Sequence, residues 1–325
     1  MINRIGNRIA RWSGDGRLYA VLSACGFSMK AVFVKLAYAA APVDASTLLA
    51  LRMGFTLPLF AWLTYRSSDG KPLARSDLGR IAMLGCLGYY LSSLFDFIGL
   101  GYISVGLERL ILYIYPTLVL LLQAWSARQK PDTRAWQAMA ICYLGLAIAF
   151  AHDLRQSGQG AQVATGAAWI FASAVTYALY YLGTGKLVGR IGSTRLAGLA
   201  GSASCVLVLA HFLLFGQPHA LVALPLAVWG HAAMMAVFST VLPIWWLLLA
   251  IQRMGAGQAA AVGTLGPVLT VLAAWLLLGE SLSLLQLAGL ALVMFGVTRL
   301  KPRQAAPAQS VVRSAATHQV LRRDI

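Results

Sequence analysis

Charged residues are scarce in this sequence. Only 11% of its 325 residues are charged, and the 10 acidic side chains are outnumbered by 26 basic ones. A soluble domain carries about 25% charged residues, whereas 59% of this chain is hydrophobic. The shortage of charge predicts a protein whose outer surface faces a lipid bilayer.

Signatures of catalytic and cofactor chemistry are missing as well. The four cysteines, Cys25, Cys86, Cys142 and Cys205, lie in apolar runs without a Cys-x-x-Cys pair, so they are expected to be small buried residues. The segment GTGKLVG at 183–189 lacks the Gly-Lys-Ser/Thr ending and the preceding strand of a phosphate loop. We expect no catalytic residue, no metal and no cofactor, apart from a coupling proton or other ion.

Long apolar runs are abundant instead. A membrane-crossing helix needs about 20 predominantly apolar residues, and ten such runs predict an all-α integral membrane protein. They occupy residues 18–38, 46–65, 81–100, 104–125, 135–152, 164–185, 195–215, 225–250, 256–278 and 282–300.

The basic residues are distributed unevenly between the links. If the N-terminus is cytoplasmic and the ten spans alternate, 21 of the 26 basic residues lie in cytoplasmic segments, and only Arg155 lies in an external loop. Because cytoplasmic loops are enriched in Lys and Arg, both termini are predicted to be cytoplasmic, in a multi-pass protein of the cell (inner) membrane. The net charge of +16 then reflects topology, and no nucleic-acid partner is expected.

The two halves of the chain resemble each other. At an offset of 151 residues, 83–116 aligns with 234–267 without a gap, and Pro116 meets Pro267. Five predicted spans per half is an odd number, so the second half enters the membrane in the opposite orientation, as in many secondary transporters. The predicted segments are a cytoplasmic N-terminus (1–17), a first five-helix repeat (18–152), an external linker (153–163), a second five-helix repeat (164–300) and a disordered basic cytoplasmic tail (301–325).

In these features the chain resembles the EamA family of the drug/metabolite transporter superfamily. The resemblance is carried by FSMKAVFVKLAY in span 1, LLALRMGF with Arg52 in span 2, the paired prolines, and GES at 279–281. It implies a permease that moves a small metabolite by alternating access, often outward.

Ionisable residues within the spans are the candidates for function, because charge at that depth is costly. With a rise of about 1.5 Å per residue, Lys30 falls near the midplane of span 1. The other ionisable residues of the first half fall nearer the external side: Lys35, Arg52, Asp96, Glu108 and Arg109. Four cations against two acids favour a small-molecule substrate with a carboxylate or another anionic group, amino acids included.

The predicted site combines basic, acidic and aromatic side chains on helix faces that are expected to meet in a central cavity. The predicted substrate-binding residues are Lys30, Arg52, Tyr89, Arg109, Tyr113, Tyr177 and Tyr180, with Lys30 and Arg52 on the anionic group. The predicted coupling or gating residues are Asp96, Glu108, Lys35, Pro116 and Pro267.

Structural roles stay open for most of these residues. Lys35, Glu108 and Arg109 are close enough to helix ends to reach the membrane interface. Asp96 and Arg52 could form a structural ion pair between spans 2 and 3. The prolines could be gates or tolerated kinks, and the tyrosines could be ordinary core aromatics.

The sequence therefore predicts a gradient-driven transporter, an exporter of a small polar metabolite, rather than an enzyme. A lipid flippase differs from this reading only in its substrate. A second reading is an integral-membrane enzyme acting on a lipid or lipid-linked group, with Asp96 and Glu108 as acid and base. A third is a scaffold that binds a partner through its basic tail. The identity of the solute and the oligomeric state are left open.

Overall fold

The structure is a computed structural model, and it describes residues 16–67, 73–126, 128, 133–157, 160–254, 262, 265–280 and 283–299. Every regular element within these ranges is helical, which confirms the all-α membrane fold. Seven of the described helices are long and apolar enough to cross a membrane. Three shorter apolar segments occupy the predicted spans 5, 9 and 10, so the count of ten spans stays a prediction: Trp136–Ala151, Gly266–Leu278 and Leu284–Gly296.

The first half of the chain contains helices α1 to α5. Their bounds are Arg17–Ala40 for α1, Ala45–Arg66 for α2, Arg75–Leu100 for α3, Val105–Ser126 for α4 and Thr133–Ser157 for α5. Helix α3 passes through a π-helical stretch at Cys86–Leu91. Helix α4 is interrupted after Leu112 and resumes at Tyr115.

The second half contains helices α6 to α10 and a single helical turn at Ala220–Ala223. The bounds are Gly160–Ile191 for α6, Ser193–Phe215 for α7, Leu226–Ala236 continuing through Val237–Val241 and Leu242–Met254 for α8, Gly266–Leu278 for α9 and Leu284–Arg299 for α10. Because residues 183–189 lie inside α6, GTGKLVG is helical and is not a phosphate loop.

The link between the halves is shorter than the predicted linker at 153–163. Helix α5 continues to Ser157 and α6 begins at Gly160, because polar residues can extend a helix beyond its apolar stretch. The predicted tail at 301–325 and most of the N-terminal segment at 1–17 lie outside the described residues.

Two π-helical stretches mark equivalent places in the two halves. They begin at Cys86 in α3 and at Val237 in α8, which are 151 residues apart, the offset of the sequence repeat. Helix packing follows the same equivalence. Helix α1 packs on α8 as α6 packs on α3, and α1 packs on α9 as α6 packs on α4. The two halves are therefore structural repeats.

Pro116 explains the interruption of α4. Proline has no N–H to donate to the carbonyl four residues earlier. The first segment ends with a bond from the Tyr113 N–H to the Arg109 carbonyl at 3.0 Å, and the next begins with one from the Thr117 N–H to the Ile114 carbonyl at 2.9 Å. The break in α4 thus lies directly before Pro116, whose role as a gate or a tolerated kink stays a prediction.

Pro267 lies in the first turn of α9, where its missing N–H has no partner within the helix. Just before it, the Leu265 N–H donates to the Val262 carbonyl at 3.0 Å, as the Ile114 N–H donates to the Ile111 carbonyl at 3.1 Å before Pro116. The two prolines therefore occupy equivalent places in the two repeats, and the gating role of Pro267 stays a prediction.

Helices α5 and α10 approach closely through glycines. A Cβ atom on Gly289 would lie 2.6 Å from the backbone oxygen of Gly145, and a Cβ on Gly145 would lie 2.6 Å from the oxygen of Gly289. Small residues let membrane helices pack backbone against backbone. Only a residue without a side chain fits at this crossing.

Large apolar side chains are exposed along the outside of the helices. Trp62 and Trp125 lie near the ends of α2 and α4, and Trp136 lies near the start of α5; their exposed fractions are 59%, 81% and 56%. The predicted topology places these three ends on the same side of the membrane. Tryptophan is enriched where a membrane meets water, so these residues fit a multi-pass protein in a lipid bilayer.

Candidate functional site

The ion pair between Lys30 and Asp96 lies at the centre of the candidate site. The Lys30 Nζ atom of α1 lies 2.7 Å from Oδ2 of Asp96 on α3, and the two side chains are 17% and 1% exposed. A charge-assisted contact of this length is strong. The ion pair joins α1 to α3. Asp96 is therefore paired with Lys30 of α1 and not with Arg52 of α2.

Glu108 on α4 lies beside this ion pair. Its side chain is fully buried, so Glu108 does not reach the membrane interface. Its carboxyl group lies within electrostatic reach of the Asp96 carboxyl group, and apart from their ion pairs none of the four oxygens of these two acids has a hydrogen-bond partner among the described residues. The two buried acids are therefore candidates for proton exchange during transport.

Arg109 follows Glu108 and is also drawn inward, with its side chain 12% exposed. Its Nε atom lies 3.6 Å from Oε2 of Glu108, which is an ion pair but too long for a hydrogen bond. Within the described residues, the buried Nε and Nη2 atoms have no hydrogen-bond partner. Arg109 therefore retains donors that are not used by the protein groups described.

Tyrosines surround the other side of Arg109. Its guanidinium lies within electrostatic reach of the hydroxyl groups of Tyr113, Tyr115 and Tyr177. The Tyr115 and Tyr177 rings are 4.9 Å apart between centroids, and Tyr177 stacks on Tyr180 at 5.8 Å. These rings form one wall that faces the charged residues.

The tyrosine wall continues into α3. The hydroxyl groups of Tyr89 and Tyr180 lie 2.9 Å apart and share a hydrogen bond. Gly88 allows this contact, because a Cβ atom at that position would lie 2.3 Å from the Tyr180 ring. One connected wall therefore contains all four predicted tyrosines: Tyr89, Tyr113, Tyr177 and Tyr180. Tyr115 also belongs to this wall, although the sequence analysis did not include it in the site.

Arg52 on α2 is buried, with 4% of its surface exposed. Its Nε donates to the Thr240 hydroxyl of α8 at 3.1 Å, and its Nη1 donates to the Ser93 hydroxyl of α3 at 3.4 Å. The guanidinium also lies over the Phe97 ring at 5.5 Å. Arg52 therefore connects both repeats beside the Lys30–Asp96 pair, mostly through neutral partners.

Three predicted residues lie apart from this cluster. Lys35 is half-buried one turn above Lys30, within electrostatic reach of Glu280 from the second repeat. Pro116 lies beyond the break in α4, and Pro267 begins α9. Sequence reasoning gave no role to Glu280, although it quoted the GES segment that contains it.

The described residues contain no group of three or more His, Cys, Asp or Glu side chains that could hold a metal ion. The charged cluster can instead bind an anionic group at Arg109 and exchange a proton at the two carboxyl groups. Because α1, α2, α3 and α4 all contribute, a movement of these helices would change its access to either side.

The chain is similar to a family of membrane transporters. The profile of the EamA-like transporter family matches the chain twice, over residues 15–151 and 164–300. The chain is 32% identical over 301 residues to the uncharacterized transporter YcbK of Bacillus subtilis, and the match covers 90% of this chain and 95% of YcbK. It is 24% identical over 238 residues to the uncharacterized transporter YyaM of the same organism, covering 72% and 77% of the two chains.

The fold also resembles that of a solved crystal structure. The two chains superpose with a TM-score of 0.59 at 18% sequence identity, over 87% of this chain and 95% of the other. At that identity the likeness concerns the fold alone. The double match of the family profile, the similarity to YcbK and the two structural repeats together show that the chain belongs to the EamA-like transporter family.

Proposed function

We propose that this protein is a secondary transporter that exports a small polar solute with a carboxylate or another anionic group, such as an amino acid. The observation that carries this proposal is Arg109, whose buried Nε and Nη2 atoms have no hydrogen-bond partner among the described residues. Unpaired buried donors are costly, and a carboxylate matches the planar fork of a guanidinium. The solute supplies the missing acceptor.

The charge balance of the site supports an anionic cargo. Lys30, Arg52 and Arg109 are three cations, while Asp96 and Glu108 carry at most two negative charges. An excess of positive charge in the membrane interior is costly unless a counter-ion neutralises it. A cargo carboxylate reduces the excess, and the tyrosine wall provides hydroxyl groups and ring faces for the rest of the solute.

The two buried acids, Asp96 and Glu108, give the transporter a means of coupling to protons. In the proposed cycle, the anionic group binds at Arg109, and Lys30 moves between Asp96 and the solute. Each change of partner alters the charge around Asp96 and Glu108, so a proton binds or leaves as the site turns from one side to the other. Alternating access follows from the two repeats, with Pro116 at a break in α4 that permits bending.

The proposed orientation places the basic links in the cytoplasm. The distribution of 21 of the 26 basic residues on one side supports cytoplasmic termini in the inner membrane. Glu108, Arg109 and Lys35 then lie toward the external side of the midplane. A solute that leaves the cell passes this group last.

Transport assays test the proposal. We expect cells that express the protein to release a carboxylate-bearing metabolite that cells without the gene retain, and purified protein in liposomes to move that metabolite under a pH gradient. The Arg109→Gln variant should lose this flux, whereas Arg80→Gln, at an exposed arginine of α3, should keep it. Equal flux by the wild type and Arg109→Gln would refute the role of Arg109.

A further inference from the structure

The GES segment at 279–281 has no role in the transport cycle described above, yet one of its side chains contacts the site helix. Glu280 follows α9 in the second repeat. Its Oε1 accepts a hydrogen bond from the Val105 N–H at 3.0 Å, and its Oε2 accepts one from the Gly106 N–H at 3.4 Å. The first turn of a helix has free N–H groups that favour an anion. The carboxylate therefore holds the N-terminus of α4.

The backbone before Glu280 aims its side chain at α4. Gly279 has a left-handed conformation with φ of 66°, which other residues adopt only with strain. The Glu280 N–H bonds back to the Ala274 carbonyl in the last turns of α9 at 3.4 Å. Glu280 is thus held by the end of α9 rather than by a loose loop.

The residues that Glu280 holds lie three and two positions before Glu108, the first residue of the charged pair. Val105 and Gly106 form the same helical turn as Glu108 and Arg109. A shift of this turn would move the Arg109 guanidinium and the Glu108 carboxyl group together. The Ser104 hydroxyl also caps this turn, by accepting from the Leu107 N–H at 3.2 Å, but Ser104 belongs to the same repeat and moves with it.

We propose that Glu280 is a positioning residue for solute binding, which fixes Arg109 and Glu108 from the opposite repeat by holding the first turn of α4. The inference rests on the proposed function, because the position matters if Arg109 binds the solute. Lys35 lies within electrostatic reach of the same carboxylate and adds a third helix to the contact. At the repeat offset, the residue that corresponds to Glu280 is Gln129, so this carboxylate belongs to one repeat only.

Substitutions of Glu280 test the proposal in liposomes with radiolabelled alanine, lactate and succinate as probes. We expect Glu280→Ala to raise the KM of a transported probe about tenfold, as a small misplacement of a binding group does, with less effect on the maximal rate. Glu280→Gln, which keeps one acceptor oxygen, should lie between. Asp44→Asn is the matched control, because Asp44 caps α2 within its own helix.

A double-mutant cycle separates positioning from stability. If Glu280 acts through Arg109, Glu280→Ala should change the KM less than twofold when Arg109→Lys is already present, because coupled residues are not additive. Gly279→Ala should reproduce the raised KM without loss of the carboxylate. Additive effects of Glu280→Ala and Arg109→Lys, or an unchanged KM in Glu280→Ala, would overturn the proposal.

A labelling experiment works even when no probe is transported. A cysteine fits at Gly106, where an added Cβ would have its nearest contact at 4.0 Å, with the Ser104 hydroxyl. We expect a membrane-impermeant maleimide to label Gly106→Cys several times faster when Glu280→Ala is also present, and not faster with Asp44→Asn. If Glu280→Ala speeds the labelling but the wild type transports no probe, the transport proposal is refuted, while the contact between Glu280 and the first turn of α4 is supported. Unchanged labelling would refute the positioning role.

Discussion

Replacing Lys30 with methionine is the most direct perturbation of the site. Methionine keeps the length of the side chain but removes the ammonium that lies 2.7 Å from Asp96. Asp96 is then left with 1% of its side chain exposed and without its cation. Removal of one partner of a buried ion pair costs about 3–5 kcal/mol. We expect Lys30→Met to be inserted in the membrane, but less stable and inactive in transport.

The two partners should not be equivalent. In Asp96→Asn the remaining ammonium of Lys30 is 17% exposed and can retain some contact with water. In Lys30→Met the remaining carboxylate has almost none. Lys30→Met should therefore be the less stable single variant, and the double variant Lys30→Met/Asp96→Asn should recover most of the loss, because it leaves no unpaired charge.

Thermal unfolding of the purified protein in detergent measures these differences. A loss of about 3 kcal/mol corresponds to a decrease in Tm of about 4 °C for a chain of this size. Flux in liposomes, measured on the same preparations, should be absent in all three variants. The reasoning fails if Lys30→Met is as stable as Asp96→Asn, if the two losses simply add in the double variant, or if Lys30→Met transports at the wild-type rate.

Two further predictions concern the scaffold. Gly289→Ala should lower the yield of folded protein, because its Cβ would lie 2.6 Å from the Gly145 backbone oxygen; Gly54→Ala, where nothing lies within 4 Å, is the control, and equal yields in a fluorescence size-exclusion assay would contradict the prediction. Burial raises the pKa of Asp44, but hydrogen bonds from Ser46 and Thr47 outweigh it, so its pKa lies below its usual value. The resulting stability is present above the unfolded pKa of about 4 and is lost as the pH falls through the folded value. Asp44→Ala should therefore cost about 1 kcal/mol at pH 7 and reduce the loss of stability as the pH falls below about 5 in chemical denaturation, whereas an unchanged acid response would exclude this cap.

The sequence allowed the membrane fold and several of the buried charges to be predicted. The length of the apolar runs was sufficient to locate the helices. The position of Lys30 near the middle of its run was sufficient to identify it as a candidate. The partner of Asp96 was less accessible, because the sequence alone is interpreted as a regular helix over α3. The π-helical stretch at Cys86–Leu91 adds a residue to the turn, so residues before and after it face different neighbours. Gly85 approaches Ala200 of α7, whereas Asp96 contacts α1.

Glu280 shows a different limit of sequence reasoning. Its partners are backbone N–H groups 175 and 174 residues away, and any residue type at those two positions except proline would supply the same donors. No side-chain pattern therefore reports the contact. The position of Glu108 was harder to predict for another reason. A carboxyl group near the start of a helix can lie at the membrane interface or be buried, and only the packing of α4 against α3 distinguishes the two.

The two π-helical stretches also carry information about the origin of the chain. Each is an α-helix with one additional residue, and such an insertion is rare enough that two at the same offset of 151 residues are most simply explained by one event. The shared π-helical stretches therefore support a common origin of the two halves.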